Sequence, residues 1–122
     1  MELSLYDKLG ATAGIQAIVE ALYARLLKDP ELAAHFAGEN VEAEKRRQRL
    51  ALCELFGGPP LAEPRPVGLA NGLSDAHYDR LLAHLGVTLV GLNIQIHLAA
   101  EIETLLLSLR MAKQTKAKQE AA

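Results

Sequence analysis

Apolar residues recur at spacings of three and four through most of this chain, the mark of helices with one buried face, while the two-residue alternation of strands appears in no long run. Ile15, Ile18, Val19, Leu22, Leu26 and Leu27 make one such face, which predicts a helix opening on a Thr12 cap and running to Lys28. Before it, Ser4 is placed to cap a short helix from about Leu5 to Leu9, with Asp7 near the positive end and Gly10 closing it in a left-handed conformation. After it, Asp29 and Pro30 restart a short turn of helix that reaches Phe36 and ends at Gly38. A further helix is predicted from Val41 to Phe56, charged over most of its circumference. Glu44, Gln48, Leu52 and Leu55 share one face of it, so the Gln48 amide falls in the stripe that points inward and needs partners there. Ser74 caps the next long helix, with Tyr78, Leu81, Leu82, Leu85, Leu89 and Leu92 on its apolar side and Asn93 as its breaker. A last helix runs from about Gln95 to Met111, with Leu98, Ile102, Leu105, Leu106 and Leu109 facing inward.

Two stretches break the pattern. Gly57 to Ser74, GGPPLAEPRPVGLANGLS, holds four prolines between Pro59 and Pro66, which keep it extended or turned apart from at most one helical turn near Arg65 to Ala70. Residues 112–122 have no apolar stripe, so the reading is one domain over residues 1–111 followed by a disordered polar tail.

Composition narrows the classes. With 122 residues, half of them apolar, the chain is sized for one domain with a real core, and its low aromatic content and wealth of leucine and alanine favour an all-α fold. A net charge of -2 without a basic cluster gives no electrostatic footprint for nucleic acid. One cysteine forms no internal disulfide, no apolar run reaches membrane-spanning length, and MELSLYDKLG lacks the form of a signal peptide. A soluble, cytoplasmic protein is expected. The chain has no internal repeat, glycine-rich phosphate loop, paired-cysteine motif or nucleophile elbow.

Four segments, in order and at nearly constant spacing, carry a family resemblance: SLYDKLGATAGI, VEALYARLLKDPELAAHFAG, LFGGPP and LSDAHYDRLLAHL. Over roughly Ser4 to Leu109 the chain resembles a group I truncated haemoglobin. The resemblance implies a two-over-two helical sandwich enclosing haem, with the Thr12 and Val41 helices as one pair and the Ser74 and Gln95 helices as the other. It implies that Tyr23 is the tyrosine whose hydroxyl donates to a bound diatomic ligand and that Gln48 joins the same network. Phe36 matches an aromatic packed on the haem face, Leu52 a bulky residue lining a ligand channel, and Leu81 and Leu85 apolar wall positions. Periodicity alone favours Tyr23 as a core residue with its hydroxyl at the edge, and Gln48 as one more polar residue of a charged helix.

The departure lies on the other side of the ring. The family carries an axial histidine a few residues before the glycine, apolar residue and threonine or serine that open the fourth long helix. Here the matching position falls on Gly68 or Asn71, neither of which ligates iron, and Gly57 to Ser74 contains no histidine, cysteine, methionine or tyrosine. His84, beside the apolar wall of its helix and two turns after His77, is the nearest substitute, against a plain reading as a half-buried helix histidine. His35 sits beside Phe36 and His97 is expected at the surface. Cys53 reads as a small packed hydrophobe rather than a thiolate. Tyr23 itself is a further axial candidate. Two readings follow: a haem protein handling oxygen or nitric oxide with an atypical or weak bond to iron, including nitric oxide dioxygenase-type activity if haem is held, or a haem-free globin fold acting as a binding or structural module.

Overall fold

A computed structural model describes residues 3–36, 40–59 and 73–121, with side chains placed as far as residue 108. Six helices follow in order: α1 (Leu5–Lys8), α2 (Ala11–Leu26), α3 (Pro30–Phe36), α4 (Val41–Leu55), α5 (Asp75–Gly91) and α6 (Ile96–Ala121). No strand occurs among the described residues.

Local chemistry sets most of the boundaries. Ser4 caps α1 in a reciprocal box: its hydroxyl accepts from the Asp7 N–H at 3.1 Å while the Asp7 carboxylate reaches back to Ser4. Asn40 and Ser74 cap α4 and α5 through the N–H groups of Ala43 and His77. The C-terminus of α4 closes on Gly57, whose φ of +92° suits a residue without a Cβ. There the Gly58 N–H donates to the Cys53 carbonyl at 2.7 Å and the Gly57 N–H to Glu54 at 3.1 Å, which satisfies two carbonyls that the helix leaves open. Asn93, at φ 60°, ends α5 with the same pair of bonds, from Ile94 to Leu89 and from Asn93 to Val90.

Three boundaries differ from the sequence pattern. Thr12 does not cap α2: Gly10 occupies that position at φ +97° without a side-chain bond, and the Thr12 hydroxyl instead meets the Tyr6 hydroxyl at 2.7 Å. The close approach of α1 explains the early start, since a Cβ on Gly14 would lie 1.7 Å from the Leu9 carbonyl oxygen. The end of α2 comes at Leu26 rather than Lys28, because the Asp29 N–H turns back to the Leu26 carbonyl and its side chain is used at the next helix. Finally, α6 continues to Ala121, where a stop at Met111 and a disordered tail are expected. Alanine, lysine, glutamine and glutamate all have high helix propensity, so backbone helix persists without an apolar stripe to direct it.

The long helices stack as the two-over-two sandwich, α2 against α4 and α5 against α6, with the broad face of α2 also on α5. Ile15, Leu26, Leu32 and Leu89 are fully enclosed, each such burial stabilising by about 1.5–3 kcal/mol. Tyr78 ties the second pair by donating to the Leu106 carbonyl at 2.8 Å. Of the inward positions expected on α6, Leu98, Ile102 and Leu106 are buried and Leu105 is half-buried. The expected helix end at Gly38, the turn near Arg65 to Ala70 and the inward Leu109 side chain lie outside the described residues. None of the described helices is long and apolar enough to cross a membrane.

Candidate functional site

Six side chains singled out from the sequence come from four helices and all are buried: Tyr23 of α2, Phe36 of α3, Gln48 and Leu52 of α4, Leu81 and Leu85 of α5. Their spacing explains this. Gln48 and Leu52 lie four apart on one helix, as do Leu81 and Leu85 on another, so each pair shows a single face. The break at Asp29 and Pro30 turns α3 so that its last residue, Phe36, meets Tyr23 edge to face, with ring centroids 5.8 Å apart and planes at 76°. Tyr23, Phe36, Leu52, Leu81 and Leu85 belong to one continuous apolar cluster.

The polar atoms in this setting matter most. Burial pushes the Tyr23 hydroxyl above the ordinary tyrosine pKa, and the opposing pull of Arg47 on α4 is the smaller effect, so the hydroxyl is a proton donor at neutral pH. α4 packs against α2, the helix that carries Tyr23. Gln48 is only 6% exposed, and its Oε1 has no hydrogen-bond partner among the described residues. A buried amide oxygen left in that state costs about 1–3 kcal/mol. The group is a polar contact waiting in an apolar wall.

The histidines are accounted for elsewhere. His84, half-buried, places Nε2 2.7 Å from Oδ2 of Asp29, and Arg80 donates to the same oxygen. Service as an axial ligand through that nitrogen requires giving up the contact. His77 Nε2 lies 3.5 Å from Glu31 Oε2, His35 is exposed with its ring edge-on to Phe36 at 4.8 Å, and His97 is exposed. Cys53 is buried; burial raises its thiol pKa, against smaller lowering effects from a hydrogen bond with Thr12 and the charge of Arg49, so it stays protonated at neutral pH. No cluster of three metal-ligating side chains occurs among the described residues. Gly68 and Asn71 lie outside them.

Sequence reasoning missed the second role of Asp29. Its side chain is 3% exposed and does more than accept from the Glu31 N–H at 3.0 Å, since it also pins Arg80 and His84 of α5. These contacts hold the carboxyl well below the usual carboxylate range, the Arg80 bond first and the His84 bond second. The signal available was the four-residue spacing of Arg80 and His84, which aims both at one neighbour, but nothing local names that neighbour.

Comparison with known proteins agrees with this arrangement. The family model for the bacterial-like globin matches residues 4–115. The chain belongs to that family. Group 1 truncated hemoglobin GlbN of Nostoc commune is 30% identical over 86 residues, covering 68% of this chain and 73% of the relative. That match marks the protein as a group 1-like truncated globin. Among solved structures, the 2/2 hemoglobin of Synechococcus sp. PCC 7002, in the cyanomet state with covalently attached heme, superposes with a TM-score of 0.74 at 30% identity, covering 84% of this chain and 89% of that one. The truncated hemoglobin of Tetrahymena pyriformis in its Fe(III) form gives a TM-score of 0.78 at 24% identity over 89% of this truncated globin and 96% of its own chain, a likeness of fold.

Proposed function

We propose that this truncated globin binds haem between Tyr23, Phe36, Gln48, Leu52, Leu81 and Leu85, through an atypical and weak axial arrangement, and uses the pocket to handle oxygen or nitric oxide. The observation that carries the reading is a pair of polar side chains from two helices, Tyr23 and Gln48, both buried beside apolar residues. The unpartnered Gln48 Oε1 marks an amide that the described residues leave unanswered, and the amide's N–H groups, with the Tyr23 hydroxyl, are the ends that can donate to a ligand from outside the chain. The heme named in the Synechococcus structure supports the choice of group.

When bound, haem supplies the redox-active iron and the diatomic-ligand chemistry. The chain supplies the surroundings. Tyr23, kept protonated by burial, would donate a hydrogen bond to a diatomic ligand held by haem, and the Gln48 amide N–H would donate a second. Each bond stabilises the ligand by about 1 kcal/mol. Phe36, Leu52, Leu81 and Leu85 keep water out and offer apolar surface, worth about 25 cal/mol per Å² covered. That surface retains a porphyrin without the histidine that Gly57 to Ser74 lacks. Nitric oxide dioxygenase-type activity is then the enzymatic reading, and a single buried cysteine suits a reducing compartment such as the cytoplasm.

The second reading, a haem-free binding or structural module, draws on the same histidine inventory: His77 and His84 are occupied by carboxylates, and none lies in the Pro-rich segment. Titrating the purified protein with haemin separates the two. Saturable uptake with a sharp Soret band supports the haem protein, whereas weak, nonsaturating uptake supports the module. In loaded protein Tyr23→Phe is expected to speed oxygen release about fivefold, the equivalent of one lost hydrogen bond; unchanged release removes Tyr23 from the ligand.

A further inference from the structure

Away from the pocket, a cleft of about 420 Å³ opens where the end of α2, the start of α3 and one face of α5 meet. Apart from the small residues Ala24 and Pro30, its walls are Arg25, Lys28, Asp29, Arg80 and His84. In a chain with a net charge of -2, this one recess gathers three permanent cations and a histidine around a single carboxylate. Nor is that carboxylate free to repel an entering anion. Asp29 is almost fully enclosed, with Oδ1 taken by the Glu31 N–H and Oδ2 by Arg80 and His84. It works as an anchor: by holding Arg80 through Nε it fixes the guanidinium and leaves the outer N–H groups to point elsewhere.

The other two cations have no such partner. Arg25, on the last turn of α2, and Lys28, in the turn that follows it, are exposed and enter no ion pair among the described residues. Three of the cations on α4 behave differently, Lys45 and Arg49 pairing with Glu20 and Arg47 with Glu44. Glu31, a further acid, acts on Arg80, and its Oε2 lies 3.5 Å from His77 Nε2. A concave site with low-dielectric walls concentrates the field of its charges, and positive groups from two helices around one recess suit a single bridging polyanion. Guanidinium forks match phosphate oxygens especially well.

We propose that this cleft binds a small molecule carrying two or more linked phosphate groups, clamped between Arg25 of α2, Lys28 just beyond it and Arg80 of α5. Occupancy ties the end of α2, where Arg25 stands two residues beyond Tyr23, to the part of α5 that carries Leu81 and Leu85, so binding stabilises the pocket walls without needing haem. The probe is inorganic pyrophosphate, titrated calorimetrically into the full chain at fixed ionic strength, with thermal melting in parallel. One saturable site and a raised Tm are expected. The double variant Arg25→Gln, Lys28→Gln, whose side chains are exposed and unpaired, is expected to weaken binding about tenfold or more with an unchanged helical circular-dichroism spectrum. Arg46→Gln, an exposed cation of α4 outside the cleft, is expected to leave it unaltered. The proposal is overturned if no saturable binding occurs, if the double variant binds as tightly as the parent, or if Arg46→Gln weakens binding equally.

Discussion

Asp29, Gln48 and Thr88 are the buried polar side chains of the described residues, and they divide by whether the fold answers them. Thr88 donates to the His84 carbonyl at 2.8 Å and Asp29 is held on both oxygens, while Oε1 of Gln48 has nothing. Replacing Gln48 with leucine is therefore expected to stabilise the cofactor-free protein by about 1 kcal/mol, since a group of similar size removes an unmet hydrogen-bonding need; a lower Tm for that variant would contradict the assignment. Asp29 predicts the opposite sign. Its carboxyl is depressed by folding, so its contribution is full above the unfolded-state pKa of about 3.9 and is lost as pH falls through the lower folded-state value. Asp29→Asn is expected to lower Tm by several degrees at neutral pH, with the gap to the parent closing below about pH 4. A gap that stays constant down to pH 2 would show that the depressed carboxyl is not what stabilises the corner.

At the scale of the element, helix ends test how local the code is. Ser4, Ser74, Gly10, Gly57 and Asn93 stand within a few residues of the backbone groups they serve, which is why these boundaries are legible from sequence. Ser74→Ala is expected to cost about 1 kcal/mol of stability in denaturant titration, the value of a lost N-cap. Gly57→Ala is expected to cost about 1 kcal/mol or more, because a Cβ at φ +92° is strained and would meet the Ser4 side chain at 2.9 Å. The start of α2 was not legible for the converse reason. Thr12 looks like a cap, yet the contact of Gly14 with the Leu9 carbonyl, set by how α1 folds against α2, moves the start back to Ala11. The continuation of α6 past Met111 rests on propensity, which a reading by apolar stripes overlooks.

For the whole molecule, periodicity and the four family segments were enough to give the helical sandwich, because α2, α5 and the first half of α6 carry apolar inward stripes and α4 adds Leu52 to the same core. The candidate site was less open to reading. Burial of Tyr23, Phe36, Gln48, Leu52, Leu81 and Leu85 follows from their helical faces, but the engagement of His84 depends on Asp29, 55 residues earlier. Partners so far apart leave no local trace. On the proposed function, this truncated globin keeps the ligand side of its pocket while the segment from Gly57 to Ser74 offers iron no histidine. The most direct measurement restores one: Asn71→His and Gly68→His, each titrated with haemin, reduced, and followed by optical and resonance Raman spectroscopy. Our account predicts that at least one variant gains tight, saturable haem binding and a five-coordinate ferrous spectrum with an iron–histidine stretch that the parent lacks. Haem uptake no better than the parent's in both variants, or an iron–histidine stretch already present in the parent, would contradict it.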